Sequence, residues 1–370
     1  MSDKPKIIFL STLHRTSERV LPAIKSLDKK FDVVIINYGQ SSVNVNYPND
    51  ANLRYNKYIS ENFCFDNVYN TSGGITDTSY TSHRKQADEV IHFLKSIICD
   101  KTVAIIIDDC RPYLFSKKLY NIAKKNDIVV FSNTHGNGAF LKQKGEKIYD
   151  YLFCLGTYDK LKYQNIGFDD NELICSGIPS NDSLKSCVLS NEYILVIVNF
   201  IGPHPHRYKF FDYDVLKKMK ILELQKRMNK PVLFKLKTRL KTDRKEELNV
   251  FKDNVLKLKI SGDIIYEVES EDTLIAGASS VLSYGSTMAF KSIQLDIPTV
   301  IFKDLGLVGA YERYSGLISV GEDYDYIFQN DFMKSQRREF LESTLKGGYD
   351  FSSTDFYVES VNRRIIKNVE

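Results

Sequence analysis

The chain has 370 residues, of which 43% are apolar and 26% are charged. These fractions are those of ordinary globular proteins, which excludes a disordered chain, a coiled coil and a collagen-like fibre. The net charge of +4 is too small a surplus to indicate a nucleic-acid-binding surface. No stretch approaches the ~18 to 20 apolar residues that cross a bilayer, so we expect a cytoplasmic protein.

Short β-branched runs alternate with longer helical stretches along the first half of the chain. The predicted strands are 6–10, 31–37, 103–107, 128–131, 151–155 and 173–175. The predicted helices are 16–27, 82–98 and 113–125, with a long polar loop at 38–58. This alternation is typical of a parallel sheet covered by helices. Residues 1–182 are therefore predicted to form one α/β domain.

A polar, turn-forming segment at 180–186 precedes a second alternation of strands and helices. The predicted strands are 193–198, 232–236, 263–266, 280–283, 299–302 and 317–320, and the longer predicted helices are 214–229, 244–258 and 326–345. We predict a second α/β domain at 190–350 and a C-terminal helix within 351–370 that packs back on the first domain. The predicted fold is α/β, with two Rossmann-like doubly wound domains facing a central cleft.

The turn formed by Gly285, Ser286 and Thr287 follows a predicted strand and precedes a helix. In open α/β sheets ligands bind beyond the carboxyl ends of the strands. A helix N-terminus there presents free N–H groups to a phosphate, and Gly285 lets a ligand approach the backbone. These three residues are candidate donor-binding residues. An ordinary strand–helix turn with an N-cap explains them equally well.

Residues 283–302 resemble the donor-binding segment of GT-B glycosyltransferases: a strand, a Ser/Gly/Thr turn, a helix and a Leu-x-x-Pro lead into another strand. The chain is most similar to the group of teichoic-acid glycerophosphotransferases, capsule and lipopolysaccharide sugar transferases and UDP-N-acetylglucosamine 2-epimerases. The resemblance implies the GT-B architecture and a nucleotide-activated donor linked to UDP, CMP or CDP, with no further cofactor. It implies no metal, because helix ends and basic side chains neutralise the departing phosphate.

His135 lies in a glycine-containing loop after the strand predicted at 128–131. The loop resembles the His-Gly motif of the glycerophosphotransferase group, in which the histidine takes a proton from the acceptor hydroxyl. Imidazole titrates near neutral pH and suits a general base. In the 2-epimerases a carboxylate follows the histidine, whereas Gly136 and Asn137 follow it here, which favours the transferase. A loop histidine that caps a helix or lines a surface turn is the alternative.

Asp108 and Asp109 follow the strand predicted at 103–107, an arrangement loosely similar to the Gly-Asp of the 2-epimerases. We predict that Asp109 orients His135 or binds acceptor hydroxyls, although paired carboxylates at a strand end are also common in solvated turns. His14 follows the first strand. It is the substitute base, because several inverting GT-B enzymes use this loop for acceptor contact or catalysis.

Basic residues follow two strands of the second domain. Gly202, His204 and Arg207 lie in the loop that faces the donor phosphates in GT-B proteins. Lys235 and Lys237 fall on one side of the strand 232–236 and its extension, because side chains alternate along a strand. Relatives have Lys-x-His-Pro here, so Lys237 stands where an imidazole is expected. A plain loop, a solvated basic face and a contact with anionic lipid are the alternatives.

These expectations describe a glycosyltransferase, or a polyol-phosphate transferase, that extends a cell-surface polysaccharide such as capsule or lipopolysaccharide. Its partners would be a nucleotide-sugar donor and a glycan or lipid-linked acceptor, and the basic strand end allows peripheral contact with the inner membrane face. Two alternatives remain. One is an isomerase similar to UDP-N-acetylhexosamine 2-epimerases, and the other is a non-catalytic module that binds a nucleotide or a glycan.

Overall fold

A computed structural model of the chain describes residues 4–12, 14–37, 50–64, 67–70, 80–111, 113–134, 147–198, 213–236, 245–266, 268, 270–284, 286, 288–302, 316–318, 321–322, 329–347 and 351–369. The chain forms two compact units. The first contains residues 1–182 and 350–370, and the second contains residues 183–349. Two parallel-sheet α/β domains were predicted, and this prediction is confirmed.

The strands of both units pair in parallel throughout the described residues. They are β1 (Lys6–Ser11), β2 (Asp32–Asn37), β3 (Val68–Asn70), β4 (Thr102–Ile107), β5 (Val129–Asn133), β6 (Tyr151–Cys154), β7 (Leu173–Cys175), β8 (Tyr193–Val198), β9 (Val232–Lys235), β10 (Gly262–Ile265), β11 (Ala278–Tyr284), β12 (Thr299–Phe302) and β13 (Leu317–Ile318). The first sheet has the order β3-β2-β1-β4-β5-β6-β7 and the second β10-β9-β8-β11-β12-β13. Both are doubly wound.

Helices connect the strands and cover the sheets. In chain order they are α1 (His14–Leu27), α2 (Asp50–Asn62), α3 (Tyr80–Ile97), α4 (Ser116–Lys125), α5 (Thr157–Asn165), α6 (Tyr213–Lys218), α7 (Ile221–Met228), α8 (Lys245–Lys257), α9 (Glu271–Ala276), α10 (Met288–Gln294), α11 (Asn330–Glu339) and α12 (Ser353–Val369). Short 3₁₀ helices span Asp170–Glu172 and Pro179–Ser186, and a π-helical turn, Phe340–Thr344, follows α11.

The first sheet is buried on both faces, which explains its runs of branched apolar residues. One face packs against α1, α2 and the C-terminal α12, with Phe9 of β1 and Tyr357 of α12 among the buried residues. The other face packs against α3 and α4, through Val90 and Leu119. The chain's last helix thus completes the core of its first domain.

Asp182 holds the N-terminus of α12. Its two carboxylate oxygens accept hydrogen bonds from the backbone N–H groups of Ser353 at 3.0 Å and Thr354 at 2.7 Å. These groups have no partner within the helix, so a carboxylate there satisfies them and complements the helix dipole. One turn further on, the ring of Tyr357 stacks on that of Phe153 with the centroids 3.8 Å apart.

Two predicted segments differ from the structure. Part of the polar loop predicted at 38–58 is helical, because α2 begins at Asp50, while residues 38–49 lie outside the described residues. The helix shows only a sparse apolar face, and Tyr55 and Ile59, four residues apart, are buried among those of its side chains that the structure describes. The helix predicted at 214–229 is two helices, because Lys220 takes a left-handed φ of 50° between α6 and α7.

Each sheet has a switch point, where the strand order reverses direction. In the first sheet it lies between β1 and β4, and in the second between β8 and β11. A crevice opens there at the carboxyl ends of the two strands, because the connections leave toward opposite faces of the sheet. Ligands of doubly wound proteins bind at this crevice.

Candidate functional site

Asp108 fills the crevice at the switch point of the first sheet. It follows β4 and is 0% exposed. Its Oδ1 accepts hydrogen bonds from the backbone N–H of Thr12 at 2.9 Å and from the Thr12 hydroxyl at 2.5 Å. Its Oδ2 accepts from the hydroxyls of Thr16 at 3.0 Å and Ser17 at 2.6 Å. One buried carboxylate therefore ties the end of β1 and the first turn of α1 to β4.

This arrangement supplies α1 with an anion from within the chain. A carboxylate beside the first turn of a helix complements the positive end of the helix dipole, which is the place a bound phosphate would otherwise take. Ser17 also lies 2.6 Å from the hydroxyl of Ser11, so the hydroxyls form a connected network around Asp108. The N-terminus of α1 is thus a site where additional negative charge is repelled.

Asp109 is paired with Arg111. It is 1% exposed, and its Oδ1 accepts the backbone N–H of Arg111 at 2.9 Å. Its Oδ2 accepts from Nε of Arg111 at 2.9 Å and lies 2.8 Å from the terminal guanidinium nitrogen Nη2. Nη2 also donates to the hydroxyl of Tyr113 at 3.2 Å. Burial, followed by the charges of Asp108 and Asp109, raises the pKa of Tyr113, which keeps its phenol protonated.

More polar groups lie at the carboxyl ends of the neighbouring strands β2 and β5. The side-chain amide of Asn133 donates to the carbonyl of Ile107 at 2.9 Å. The hydroxyl of Tyr55 donates to the side-chain oxygen of Asn37. Burial raises the pKa of Tyr55, so this hydroxyl also stays protonated. The carboxyl edge of the first sheet is thus lined by buried hydrogen-bonding side chains.

The switch point of the second sheet has different chemistry. Ser283, near the end of β11, is 0% exposed, and its hydroxyl has no hydrogen-bond partner among the described residues. The hydroxyl of Ser286 accepts the backbone N–H of Met288 at 3.3 Å and so caps α10. This bond leaves the Ser286 hydroxyl hydrogen available as a donor, so its predicted contact with a phosphate remains a prediction. Gly285 and Thr287 lie outside the described residues.

Lys235 is at the end of β9 in the second sheet. Its amino group donates to the carbonyls of Leu236, at 3.1 Å, and of Tyr266. The cation thus interacts with backbone carbonyls at the ends of β9 and β10. It brings positive charge to the carboxyl edge of this sheet.

Most of the candidates named from the sequence fall where the structure gives no description. These are His135, Gly202, His204, Arg207 and Lys237, in addition to Gly285 and Thr287. His14 is the first residue of α1, and its side chain is likewise outside the description. The roles assigned to these residues remain predictions.

Sequence reasoning missed the donors that surround Asp108. Thr12, Thr16 and Ser17 lie 91 to 96 residues away from it in the chain. The sequence did contain a signal for this network, because residues with hydroxyl side chains occur both at the end of the first strand and at the start of the first helix. In the part of the chain that is described, no three side chains form a metal-ligand group. Within the same part, no helix is both long enough and apolar enough to cross a bilayer.

No protein-family model matches the sequence, and no curated protein matches it either. Solved structures do match. The UDP-GlcNAc 2-epimerase of Methanocaldococcus jannaschii is 18% identical with a TM-score of 0.61, and the match covers 97% of this chain and 99% of that one. The chain has a GT-B-like fold.

Two further structures show how far this GT-B-like fold extends along the chain. The UDP-GlcNAc 2-epimerase of Neisseria meningitidis, solved with UDP-GlcNAc, is 13% identical with a TM-score of 0.66, over 97% of this chain and 100% of that one. A glycosyltransferase of Rickettsia africae is 12% identical with a TM-score of 0.59, over all of both chains. The similarity covers both domains, as the GT-B resemblance of residues 283–302 predicted.

Proposed function

We propose that the chain is an enzyme that acts on a UDP-linked N-acetylhexosamine and inverts its configuration at C2. The observation that carries this proposal is the match over nearly the whole length with UDP-GlcNAc 2-epimerases, one of them solved with UDP-GlcNAc. The proposal places the 2-epimerase alternative from the sequence ahead of glycosyl transfer.

Electrostatics argues against the first switch point as the place for the UDP phosphates. A phosphate within 4 Å of the Asp108 carboxylate would meet a repulsion of about 4 kcal/mol at the effective dielectric near a protein surface. That exceeds the about 1 kcal/mol that a helix N-terminus contributes. We therefore assign the UDP moiety to the second domain, near Ser283.

Inversion at C2 breaks one C–H bond and forms another on the opposite face of the ring. The electron pair of the broken C–H bond forms a C1–C2 double bond as UDP departs from C1. Return of UDP to C1 and of a proton to the opposite face of C2 gives the epimer, so the enzyme must supply one group that takes a proton and one that returns it. His135 is the proposed base, with His14 as the substitute. Asp109 supports this chemistry indirectly, because its carboxylate is paired with Arg111 and buried. It fixes the guanidinium at the edge of the sheet.

Proton NMR in D₂O tests the reaction directly. Purified protein is incubated with UDP-GlcNAc alone, and the spectrum is followed for the C2 epimer and for loss of the C2 proton signal. Proton transfer at C2 predicts deuterium incorporation together with formation of UDP-ManNAc. A substrate that remains unchanged and fully protonated would contradict the proposal.

Glycosyl transfer is the second candidate, and two observations favour it. The matched glycosyltransferase covers the entire chain, and Gly136 and Asn137 stand where the 2-epimerases have a carboxylate after the histidine. A transferase leaves UDP-GlcNAc intact until an acceptor is added and then releases a nucleotide. Release of nucleotide only when a glycan acceptor is present, without exchange at C2, would favour this candidate. Binding of UDP without either reaction would indicate a non-catalytic module.

The nucleotide itself can be identified by thermal shift with UDP, CMP, CDP and GDP. A ligand present at 100 times its Kd stabilises the folded protein by about 2.7 kcal/mol. We expect UDP to give the largest shift, and Gly285→Val to reduce it by filling the space where the phosphate approaches the backbone. A larger shift with CMP would assign a different donor.

His135→Ala and His14→Ala separate the two proposed bases. Loss of a general base lowers turnover by about 10² to 10⁴-fold. We expect His135→Ala to lower kcat in this range with little change in UDP affinity, and His14→Ala to have the smaller effect. The reverse order would exchange their roles.

A further inference from the structure

Asp159 is a buried carboxylate at the carboxyl edge of the first sheet that the preceding sections leave without a role. It lies in the first turn of α5, directly after β6, and is 2% exposed. Its Oδ2 accepts the backbone N–H of Leu155 at 3.2 Å. Its Oδ1 is buried and has no hydrogen-bond partner of ordinary geometry among the described residues. The Thr134 hydroxyl acts on this carboxylate as a hydrogen-bond donor, so their contact is a poorly aligned one.

Two buried hydroxyls on β5 and just beyond it are unsatisfied as well. They belong to Ser132 and Thr134, and neither has a hydrogen-bond partner of ordinary geometry within the described part of the chain. Thr134 faces the carboxylate of Asp159 closely enough to influence its ionisation. Buried polar groups are nearly always hydrogen-bonded in folded proteins, so unsatisfied ones at a single place call for an explanation.

The environment of Asp159 opposes its negative charge. Burial raises its pKa to about 6, although the Leu155 amide, the Thr134 hydroxyl and the charge of Lys162 act in the opposite direction. A neutral Ser or Asn would accept the same Leu155 N–H bond without burying a charge. The need for an acceptor of the Leu155 N–H group therefore does not by itself explain why this residue is an aspartate.

Apart from Lys162, the titratable groups that act on Asp159 or lie beside it on α5 add no compensating charge. Burial, and then the charge of Asp159, raises the pKa of Cys154 on β6. Burial, Cys110 and Asp159 raise the pKa of Tyr163 on α5. Both groups therefore stay neutral at physiological pH. Lys160 on the same helix is paired with a different carboxylate.

We propose that Asp159 is a positioning residue: its buried carboxylate, facing the Thr134 hydroxyl, holds the carboxyl end of β5 in the arrangement that the reaction at this edge of the sheet requires. The proposal rests on the proposed function, because the strand end that Asp159 holds belongs to the edge of the sheet at which that reaction is proposed to take place. The ionised form is the active one, since it alone offers Oδ1 purely as an acceptor. Such a carboxylate is retained for activity at a cost in stability.

Stability provides the first test and needs no substrate. Because the folded chain binds the Asp159 proton more tightly than the unfolded chain, this group's contribution to stability falls as the pH rises from about 4 to about 6, and stays low above that. In Asp159→Asn the amide can donate to Thr134 and carries no charge. We expect its Tm to exceed that of the wild type by about 3 to 6 °C at pH 7.5 and to match it at pH 4.

Asp108→Asn is the matched control, since it also neutralises a buried aspartate of the same sheet edge. Asp108 accepts four hydrogen bonds, so its replacement lowers the Tm at pH 7.5. A similar lowering in Asp159→Asn would make Asp159 an ordinary structural acceptor and overturn the proposal.

Turnover provides the second test. The kcat for C2 inversion of UDP-GlcNAc in the wild type is expected to fall on the acid side as both the proposed base His135 and Asp159 take up protons. Asp159→Asn is expected to lower kcat at pH 7.5 by about tenfold or more, leave KM nearly unchanged and make the acid limb shallower, with only the titration of the base remaining. Equal kcat in both proteins, or parallel pH profiles, would overturn the role of Asp159.

The two tests also separate this proposal from the proposed function. A wild type that does not exchange at C2 at any pH refutes 2-epimerisation. The stability comparison can still be made in that case. A Tm of Asp159→Asn above that of the wild type at pH 7.5 supports the view that the folded chain holds the Asp159 charge against its environment. A Tm below that of the wild type refutes this view. If the wild type exchanges the C2 proton and Asp159→Asn has the same kcat and pH profile, only the proposal for Asp159 is refuted.

Discussion

The two sheets of this chain share the order of six strands, to which the first sheet adds β7 at its edge, and they differ in the chemistry of their switch points. In the first, the Asp108 carboxylate lies between β1 and β4 and accepts four hydrogen bonds, two from Thr12 and one each from Thr16 and Ser17. In the second, the buried hydroxyl of Ser283 lies near the end of β11 without a hydrogen-bond partner among the described residues.

This difference shows how one topology can present two kinds of chemistry. A crevice that is saturated with internal hydrogen bonds is rigid and carries a fixed negative charge, so it repels phosphate. A crevice with a spare hydroxyl and no described carboxylate can donate to an anion. Strand order determines where the crevice lies, and a few side chains at the strand ends determine its charge and its hydrogen-bonding groups.

The largest expected effect that tests this contrast is on stability at the first switch point. Asp108→Asn keeps the size of the side chain but places an amide donor against hydroxyl and N–H donors. We expect the free energy of unfolding to fall by about 3 kcal/mol, measured by urea unfolding. Asp88→Asn is the control, because Asp88 is exposed and its bond to Lys118 lies on the surface. Equal effects of the two changes would mean that the first crevice is not held by Asp108.

The second largest effect concerns the neighbouring ion pair. Arg111→Gln leaves the buried Asp109 carboxylate without its counter-ion, and we expect a loss of about 2 kcal/mol at pH 7. Removing the cation raises the pKa of Asp109, so the deficit shrinks as the pH is lowered and the carboxyl takes up its proton. The exposed pair of Arg363 and Glu359 supplies the control, Arg363→Gln. A deficit that is independent of pH would contradict the charge argument.

Serine replacements at the two switch points sharpen the comparison. Ser17→Ala removes a donor to Asp108 and is expected to cost about 1 kcal/mol. Ser283→Ala removes a buried hydroxyl with no partner among the described residues, so stability should stay within about 0.5 kcal/mol or rise. We expect UDP to stabilise Ser283→Ala less than the wild type and Ser17→Ala by the same amount, as measured by thermal shift. The opposite pattern with UDP would place the phosphates at the first sheet.

The smallest expected effect is at Tyr357. Its hydroxyl is buried without a hydrogen-bond partner of ordinary geometry among the described residues, whereas its ring stacks on Phe153. Tyr357→Phe should therefore change the free energy of unfolding by no more than about 0.5 kcal/mol in urea. Tyr357→Ala, which removes the ring, should cost about 3 to 5 kcal/mol. A large effect of the phenylalanine would reveal a hydrogen bond from α12 into the sheet edge.

Much of the fold could be predicted because the central strands are recognisable from composition alone. Buried strands such as β4 and β8 consist almost entirely of branched apolar residues, so their limits were predicted to within a residue or two. The three-residue β3 has too little sequence for a pattern, and α2 presents a sparse apolar face in a polar context. Both depend on tertiary packing.

The candidate site could be predicted less well, because its chemistry depends on contacts between distant residues. The sequence places Asp108 and Asp109 at a strand end, but not that the first accepts hydroxyl hydrogens and the second pairs with Arg111. Asp159 looks like an ordinary acidic residue in the first turn of a helix. Only its burial, which follows from the packing of α5 on the sheet, gives it an unusual charge environment.

The position of α12 has a consequence for how the protein is made. Residues 183–349 are continuous and can fold as soon as they leave the ribosome. The first unit cannot finish before then, because the ring that covers Phe153 and the N–H groups that Asp182 satisfies belong to residues translated after the second unit. During synthesis the part of the first sheet that α12 covers therefore stays exposed while the second domain is completed. A nonsense codon shortly before residue 353 would release a chain with an intact second domain and an aggregation-prone first one.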